Sequence, residues 1–360
     1  MRGSIFMKII HAADIHLGSK MDSKFPKEIA EKRKTEIRNT FSRMVDYAAD
    51  NGVSVIILAG DVFDYDIPFK KDKDFFYSIV QKHPQIDFLY LKGNHDSGGY
   101  VCDDIKNLKT FGTSWTAFEY GDIVISGIEM TAGNATSLYS SLELNPDKKN
   151  IVVLHGQIAD TAGVEKVCLK KLRNKNIDYL ALGHVHKLQS GRIDERGEYA
   201  YSGCLEGRGF DETGDHGFIL IDTSSHKLER EFIDFAERKI VEIDADISEA
   251  KDAYSAFNLI IEKFKFEKEN IYRINLVGEV DIETENMSKD IEKYLANKCF
   301  FVNVKDKTTK KIDVEAFAKG VSLKSEFIRN VFASADISDD DKKMIIRCGL
   351  KALSGEEIDL

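Results

Sequence analysis

The sequence predicts an α/β domain, then a small α+β domain, then a helical tail. Three patterns carry that expectation. Apolar runs of strand length alternate with amphipathic stretches through the first half of the chain, the order that builds layered α/β domains. After Arg238 the pattern becomes β-α-β-α-β, and after Lys310 apolar residues repeat only at helical spacing. The boundaries expected from this are 7–237, 238–310 and 311–360.

Taken in order, residues 7–13 are an apolar strand, and 27–50 a helix with Ile29, Arg33, Ile37, Phe41, Val45 and Ala48 on one face and Gly52 as its stop. Residues 53–59 are rich in β-branched side chains, the composition of a strand buried on both faces. The alternation continues with a helix at 72–82, strands at 86–91 and 151–154, a helix at 165–174 and a strand at 177–182. From Gly191 short alternating segments (198–202, 217–222, 228–234) suggest an antiparallel continuation of the same core. The second domain is expected as strands 240–243, 272–277 and 299–304 around helices 247–264 and 285–296. In the tail, Phe327, Ile328, Val331 and Phe332, then Met344, Ile345, Cys348 and Leu353, predict a helical hairpin with one buried stripe. That stripe packs back on its own chain or docks a partner's helix.

Composition narrows the class. A hydrophobic content of 42% with 31% charged residues is that of a globular chain, and no apolar run approaches the roughly 18 residues of a membrane span. A cytoplasmic protein with no membrane partner is expected. Met1 to Ser4, ahead of Met7, read as an expression remnant or an upstream start and are set aside. The five cysteines (Cys102, Cys168, Cys204, Cys299, Cys348) are odd in number and never in Cys-x-x-Cys spacing, so they are expected to be reduced thiols. The net charge of −10 points away from a general nucleic-acid binder. Between Lys20 and Arg43, however, eight basic residues stand against four acidic ones. That stretch reads as a solvated helix face with paired charges or as an edge that contacts phosphate.

Five motifs carry the chemistry: Asp14-Ile15-His16, Gly60-Asp61-Val62-Phe63-Asp64, Gly93-Asn94-His95-Asp96, His155-Gly156 and Gly183-His184-Val185-His186. Each lies where an apolar run ends, and in open α/β sheets ligands gather beyond the carboxyl ends of strands. Together they offer two Asp, one Asn and four His of the kind that bind a pair of divalent ions, plus a histidine free to move a proton. Hydrolysis of a phosphate ester near neutral pH needs a hydroxide-like nucleophile, charge neutralisation and a proton for the leaving oxygen, and two metals about 3.5 to 4 Å apart meet the first two needs. Mixed Asp, His and Asn ligation favours manganese, iron or zinc.

These residues resemble the calcineurin-like metallophosphoesterases, and within them the SbcD-type DNA repair exonuclease subunits. His16-Leu17-Gly18, Tyr201-Ser202-Gly203 and Phe210-Asp211-Glu212 add to the likeness, and Glu206-Gly207-Arg208-Gly209-Phe210 with Gly349-Leu350-Lys351-Ala352-Leu353 is similar to the YhaO-like branch. The resemblance implies a two-sheet metallophosphoesterase sandwich flanked by helices, with a small cap domain. It makes Asp14, His16, Asp61 and His186 ligands of one metal and Asp61, Asn94, His155 and His184 ligands of the second, with Asp61 as the bridge. His95 becomes the proton donor and Asp64 the carboxylate that orients it. Arg208 reads as a contact to substrate phosphate or as a surface-loop arginine, Lys20 and Lys24 are expected to meet substrate phosphate, and Asp96 to cap the following turn. His11, His83, His216 and His226 are assigned no function. Pro68-Phe69-Lys70-Lys71, the Ser97-Gly98-Gly99 region and Cys204 depart from the SbcD pattern.

The expected function is therefore two-metal hydrolysis of DNA, most readily with Mn2+, by an exonuclease and endonuclease subunit beside an SbcC-like coiled-coil ATPase. A homodimer is carried as a further expectation. The alternatives are the same chemistry on small or nucleotide phosphodiesters, and a catalytically idle scaffold for an ATPase.

Overall fold

The computed structural model describes residues 7–22, 24–65, 67–96, 104–282, 286–311 and 320–355. These fall into two units, one of residues 1–243, 264–275 and 292–304, the other of 244–263, 276–291 and 305–360.

The first unit opens with β1 (Lys8–Ala12), α1 (Lys27–Asp50), β2 (Val53–Ala59), α2 (Lys70–Lys82), β3 (Asp87–Leu91) and β4 (Leu108–Thr110). Next come β5 (Thr116–Tyr120), β6 (Ile123–Gly127) and β7 (Lys149–His155), then a short pair, β8 (Gln157–Ile158) with β9 (Lys166–Val167). After these follow β10 (Tyr179–Gly183), β11 (Gln189–Arg192), β12 (Glu198–Tyr201), β13 (Gly217–Asp222) and β14 (Glu229–Asp234). Two six-stranded sheets result, ordered β14-β13-β1-β2-β3-β4 and β11-β12-β10-β7-β6-β5. β1 through β4 run parallel, as do β6, β7, β10 and β12, while β13, β14, β11 and β5 add antiparallel edges.

The period of two along each strand sorts the core into layers. Ile10, Ile56, Leu58 and Phe88 point to α1 and α2, where they meet Ile37, Phe41, Val45 and Phe76. Their neighbours Ile9, Val55, Ile57 and Leu89 face the second sheet and pack on Ile125, Ile151, Val153 and Ala181. On that sheet's far side Val152, Leu154, Leu180 and Leu182 are covered by Leu138, Tyr139, Leu142 and Leu172. Full burial of such a side chain is worth about 1.5–3 kcal/mol, so one-residue slips in register are strongly disfavoured.

Two expectations change. The helix expected at 165–174 is instead β9, followed by a single 3-10 turn at Leu169–Lys171. Ala159 N–H donates to the Val167 carbonyl at 3.0 Å, and Val167, Cys168 and Leu172 enter the core, so the extended pairing wins over helical spacing. The segments β4 to β6, which no sequence pattern announced, include the half-exposed edge of the second sheet. The basic stretch divides as well. Lys32 pairs with Glu28, Lys34 with Glu31 and Asp22, and Lys24 with Asp211. Arg33 is fully buried and donates to Glu36, to Glu206 Oε2 at 2.7 Å and to the Gly207 carbonyl at 2.7 Å. It thereby pins the segment that carries Arg208.

Strands β15 (Ile240–Asp246), β16 (Ile271–Val277) and β18 (Phe301–Asp306) form a three-stranded sheet; each begins in the first unit and ends in the second. Helices α3 (Ala253–Lys263) and α4 (Met287–Leu295) alternate with these strands, and β17 (Glu279–Val280) pairs with β19 (Thr309–Lys310). In the second unit α5 (Leu323–Ala333) and α6 (Asp339–Ser354) pack on one another through Ile328, Val331 and Ile346, with Phe327 and Leu350 alongside. Of the expected stripe, Phe327, Ile328 and Val331 are thus covered within the hairpin, whereas Phe332, Met344, Ile345 and Leu353 stay exposed. Residues 312–319, Ser97-Gly98-Gly99 and Cys102 lie outside the described residues. The four described cysteines are free thiols, and among the described residues no helix is long and apolar enough to cross a membrane.

Candidate metal centre

All five motifs follow parallel strands: Asp14 and His16 after β1, Asp61 and Asp64 after β2, Asn94 and His95 after β3, His155 at the end of β7, and His184 and His186 after β10. The loops after β1 and β2 are tied to each other, with Asp14 N–H on the Gly60 carbonyl at 3.0 Å and His16 N–H on that of Asp61 at 2.9 Å. Seven described non-glycine residues have positive φ, and four of them are Asp14 (53°), His16 (51°), Asp61 (52°) and His184 (99°). Such backbone costs about 1–3 kcal/mol each and persists only where the surroundings enforce it. Here it turns four side chains inward at strand ends. Two glycines make room for them. A Cβ on Gly60 (φ 96°) would stand 2.1 Å from His155 Nδ1, and one on Gly93 would stand 2.1 Å from Asp61 Oδ1.

The imidazole tautomers test whether these residues fit metal ions. His186 Nδ1 is 2.7 Å from Glu212 Oε1, and His16 Nδ1 is 2.8 Å from Asp64 Oδ1. An ionised carboxylate only accepts, so the proton of a neutral His186 ring sits on Nδ1 and its Nε2 presents a bare lone pair, and the short approach of Asp64 favours the same form of His16. Yet those two Nε2 atoms face one another at 3.2 Å. Asp61 Oδ2 is 3.9 Å from the first and Asp14 Oδ1 3.8 Å from the second. His155 Nδ1 donates to the Ala59 carbonyl at 2.9 Å, so in the neutral ring its Nε2 is the bare nitrogen, 3.5 Å from Asp61 Oδ2. The Asn94 amide tip lies 3.0 Å from that Nε2 and 3.1 Å from His184 Nδ1. Acceptors aimed at acceptors inside a protein call for a cation, and this mixed nitrogen and oxygen set suits divalent transition metals. The residues fit a pair of such ions.

Electrostatics agree. Burial pushes the Asp14 carboxyl up to about 6. Burial would raise Asp61 too, but His155 and His16 hold it well below the usual carboxylate range. Burial alone would lower His155, yet the Asp61 and Asp14 carboxylates carry it up to about 9, while burial takes His16 down to about 4. Two buried carboxylates thus draw in whatever positive charge is available.

The remaining expected residues are placed differently from one another. His95 lies at the rim, 46% exposed at its side chain, with its backbone N–H on Asp61 Oδ1 at 2.9 Å. Asp64, expected to orient His95, stands 4.0 Å from that ring and is taken up by His16 and by Arg208 Nη1 at 3.0 Å. Arg208 is nearly buried and spends its donors on Asp64 and Glu212. Lys20 sits over the Tyr65 ring at 5.4 Å and Lys24 pairs with Asp211 at 3.0 Å. Asp96 holds the preceding turn, accepting from Gly93 N–H at 2.6 Å, Val62 N–H at 2.9 Å and Tyr90 O–H at 2.6 Å. His11 is buried against Tyr179 O–H at 2.8 Å. Cys204 is buried with its Sγ 3.3 Å from His216 Nδ1. Sequence reasoning quoted Glu212 within Phe210-Asp211-Glu212 but missed its role; the four-residue spacing of opposite charges from Arg208 was a further signal.

The calcineurin-like phosphoesterase family matches residues 7–188. The DNA double-strand break repair protein Mre11 of Methanosarcina acetivorans is 26% identical over 332 residues, which cover 87% of this chain and 52% of that protein, so the chain spans about half the length of this relative. Mre11 of Sulfurisphaera tokodaii is 24% identical over 94% of this chain and 92% of its own. The uncharacterized metallophosphoesterase YhaO of Bacillus subtilis is 27% identical over 72% of this chain and 67% of its own. Among solved structures, a purple acid phosphatase from yellow lupin seeds aligns with 64% of this chain and 52% of its own at a TM-score of 0.43 and 13% identity. The family match takes in every one of the five converging motifs, and the chain belongs to the calcineurin-like phosphoesterase family.

Proposed function

We propose that the chain hydrolyses phosphodiester bonds of DNA as the nuclease subunit of an SbcCD-like repair complex in the cytoplasm, using two divalent ions, most readily Mn2+. Asp14, His16, Asp61 and His186 would hold one ion, and Asp61, Asn94, His155 and His184 the other. Bound ions of this kind supply charge neutralisation at a phosphoryl group and the means to deprotonate water near neutral pH. The chain's own residues do the rest. Asp61 lies between the two donor sets, and His95 hands a proton to the leaving oxygen from the solvent side.

The observation that carries this reading is a gradient of exposure. Asp14, His16, Asp61 and His155 are buried, whereas the His95 side chain is 46% exposed. A phosphate within a long polymer can therefore reach the proton donor while these four proposed ligands stay out of water. The Mre11 relatives are named for DNA double-strand break repair, which supports the choice of DNA over a small phosphodiester. With a net charge of −10, an ATPase partner would supply much of the phosphate-binding surface, and the tail at 311–360 is the segment proposed to dock it. The ligands are present and convergent, which weighs against an idle scaffold.

The test is incubation of the purified protein with linear DNA, hairpin DNA and bis-p-nitrophenyl phosphate, with and without Mn2+. Manganese-dependent cleavage of DNA, alone or with the partner ATPase, is expected. Turnover of the small ester with intact DNA under both conditions would overturn the choice of substrate.

A further inference from the structure

We propose that Arg208 is a positioning residue that couples the His16 and His186 imidazoles, through Asp64 and Glu212, and so governs one half of the metal centre and not the other. The inference rests on the metal reading above.

The guanidinium reaches both carboxylates at once. Its Nη1 donates to Asp64 Oδ1 at 3.0 Å, and its Nη2 donates to Glu212 Oε1 at 2.7 Å, with Nε 3.2 Å from the same oxygen. The Arg208 backbone N–H donates to Glu212 Oε2 at 2.7 Å. These carboxylates are the two that sit on the Nδ1 atoms of His16 and His186, at 2.8 and 2.7 Å. Arg208 Nη2 and His186 Nδ1 converge on one oxygen and so stand 3.0 Å apart. Since the two imidazoles present their Nε2 atoms to each other at 3.2 Å, a turn of either ring breaks the donor set that both complete. The planar fork of arginine can hold two carboxylates at a fixed angle, whereas an ammonium is a point charge. The Arg208 and Asp64 side chains are 11% and 16% exposed, so the tie is largely shielded from water.

Among the described residues the other half has no such tie. His155 is oriented by the Ala59 carbonyl, and His184 through its own N–H on the Asp14 carboxylate at 3.0 Å. Arg208 is therefore a selective lever, and partners of this kind typically change metal affinity by about 10- to 100-fold.

The experiment is Mn2+ titration of the full chain, with metal content after dialysis and the electron paramagnetic resonance signal of the bound ions. Native protein is expected to hold two ions with a spin-coupled signal. R208Q should hold one tightly and the second about 10- to 100-fold more weakly, with the coupled signal giving way to that of a lone ion. R208K, measured in the same way, keeps the charge without the fork and should show the same selective weakening; it decides the matter if R208Q does not fold. Two ions bound as tightly as in the native chain, or equal weakening of both, would overturn the coupling while leaving the metal reading intact. Native protein that binds no Mn2+ would overturn both.

Discussion

The two halves of the donor cluster are built on different principles. Around His16 and His186, orientation comes from side chains: Asp64 and Glu212 sit on the imidazole Nδ1 atoms, and Arg208 spans both carboxylates. Around His155 it comes from the main chain, through the Ala59 carbonyl at 2.9 Å and the bare backbone of Gly60. A half held by side chains can be loosened by one substitution that leaves the fold in place. A half held by main chain is as rigid as the sheets themselves, because its geometry changes only when β2 or β7 moves. The comparison teaches where such a centre can be tuned and where it can only be broken.

The strongest test of this division is the residue that belongs to both halves. Asp61 Oδ2 is 3.9 Å from His16 Nε2 and 3.5 Å from His155 Nε2, so Asp61→Asn should lower affinity for both ions by more than about 100-fold, beyond the range of supporting partners. Elemental analysis after dialysis reads this directly. Two ions retained would erase the idea of a shared carboxylate.

His95 belongs to neither half. His95→Gln is expected to keep both ions and to lose about 100- to 10,000-fold in hydrolysis rate, measured on one substrate at saturating Mn2+. Loss of an ion would move His95 into the ligand set.

Gly60→Ala probes the main-chain half. The new Cβ meets His155 Nδ1 and must adopt a φ of 96°, so stability should fall by about 1–3 kcal/mol. Binding should fail first at the ion near His155, the mirror image of an Arg208 substitution. Thermal unfolding in chelator, set beside metal content, separates the two effects, and selective loss at the His16 side would contradict the division.

The smallest effect is that of pH. Buried Asp14, raised to about 6, holds its proton below that value, and ligands must shed protons to bind metal. Affinity for Mn2+ should therefore fall as pH drops through about 6, by up to roughly tenfold per unit. It should rise towards pH 9, where His155, held at about 9 by its carboxylates, gives up its proton. A titration flat from pH 5 to 9 would mean that neither proton competes with the ion.

Much of this was legible in the residues alone. Strand β2 reads as doubly buried because its apolar residues have no polar face to offer, and it is: five of its residues from Val55 to Ala59 are fully inaccessible. The seven candidate ligands could be singled out because few residue types bind divalent ions and because each stood where an apolar run stopped. Which groups orient them was not visible. Asp64 and Arg208 are 144 residues apart, and the place of Asp64 three residues past Asp61 did not say that His16, at 2.8 Å, would be its nearer imidazole and His95, at 4.0 Å, its farther one. The same limit applies to residues 165–174, where helical spacing lost to a strand partner at Gln157–Ile158. Local pattern thus determined most of the strands and helices and the residue types at their ends, since these depend on composition and spacing. The tertiary structure alone decided which carboxylate meets which histidine, because that depends on how two sheets bring distant strand ends within 3 Å.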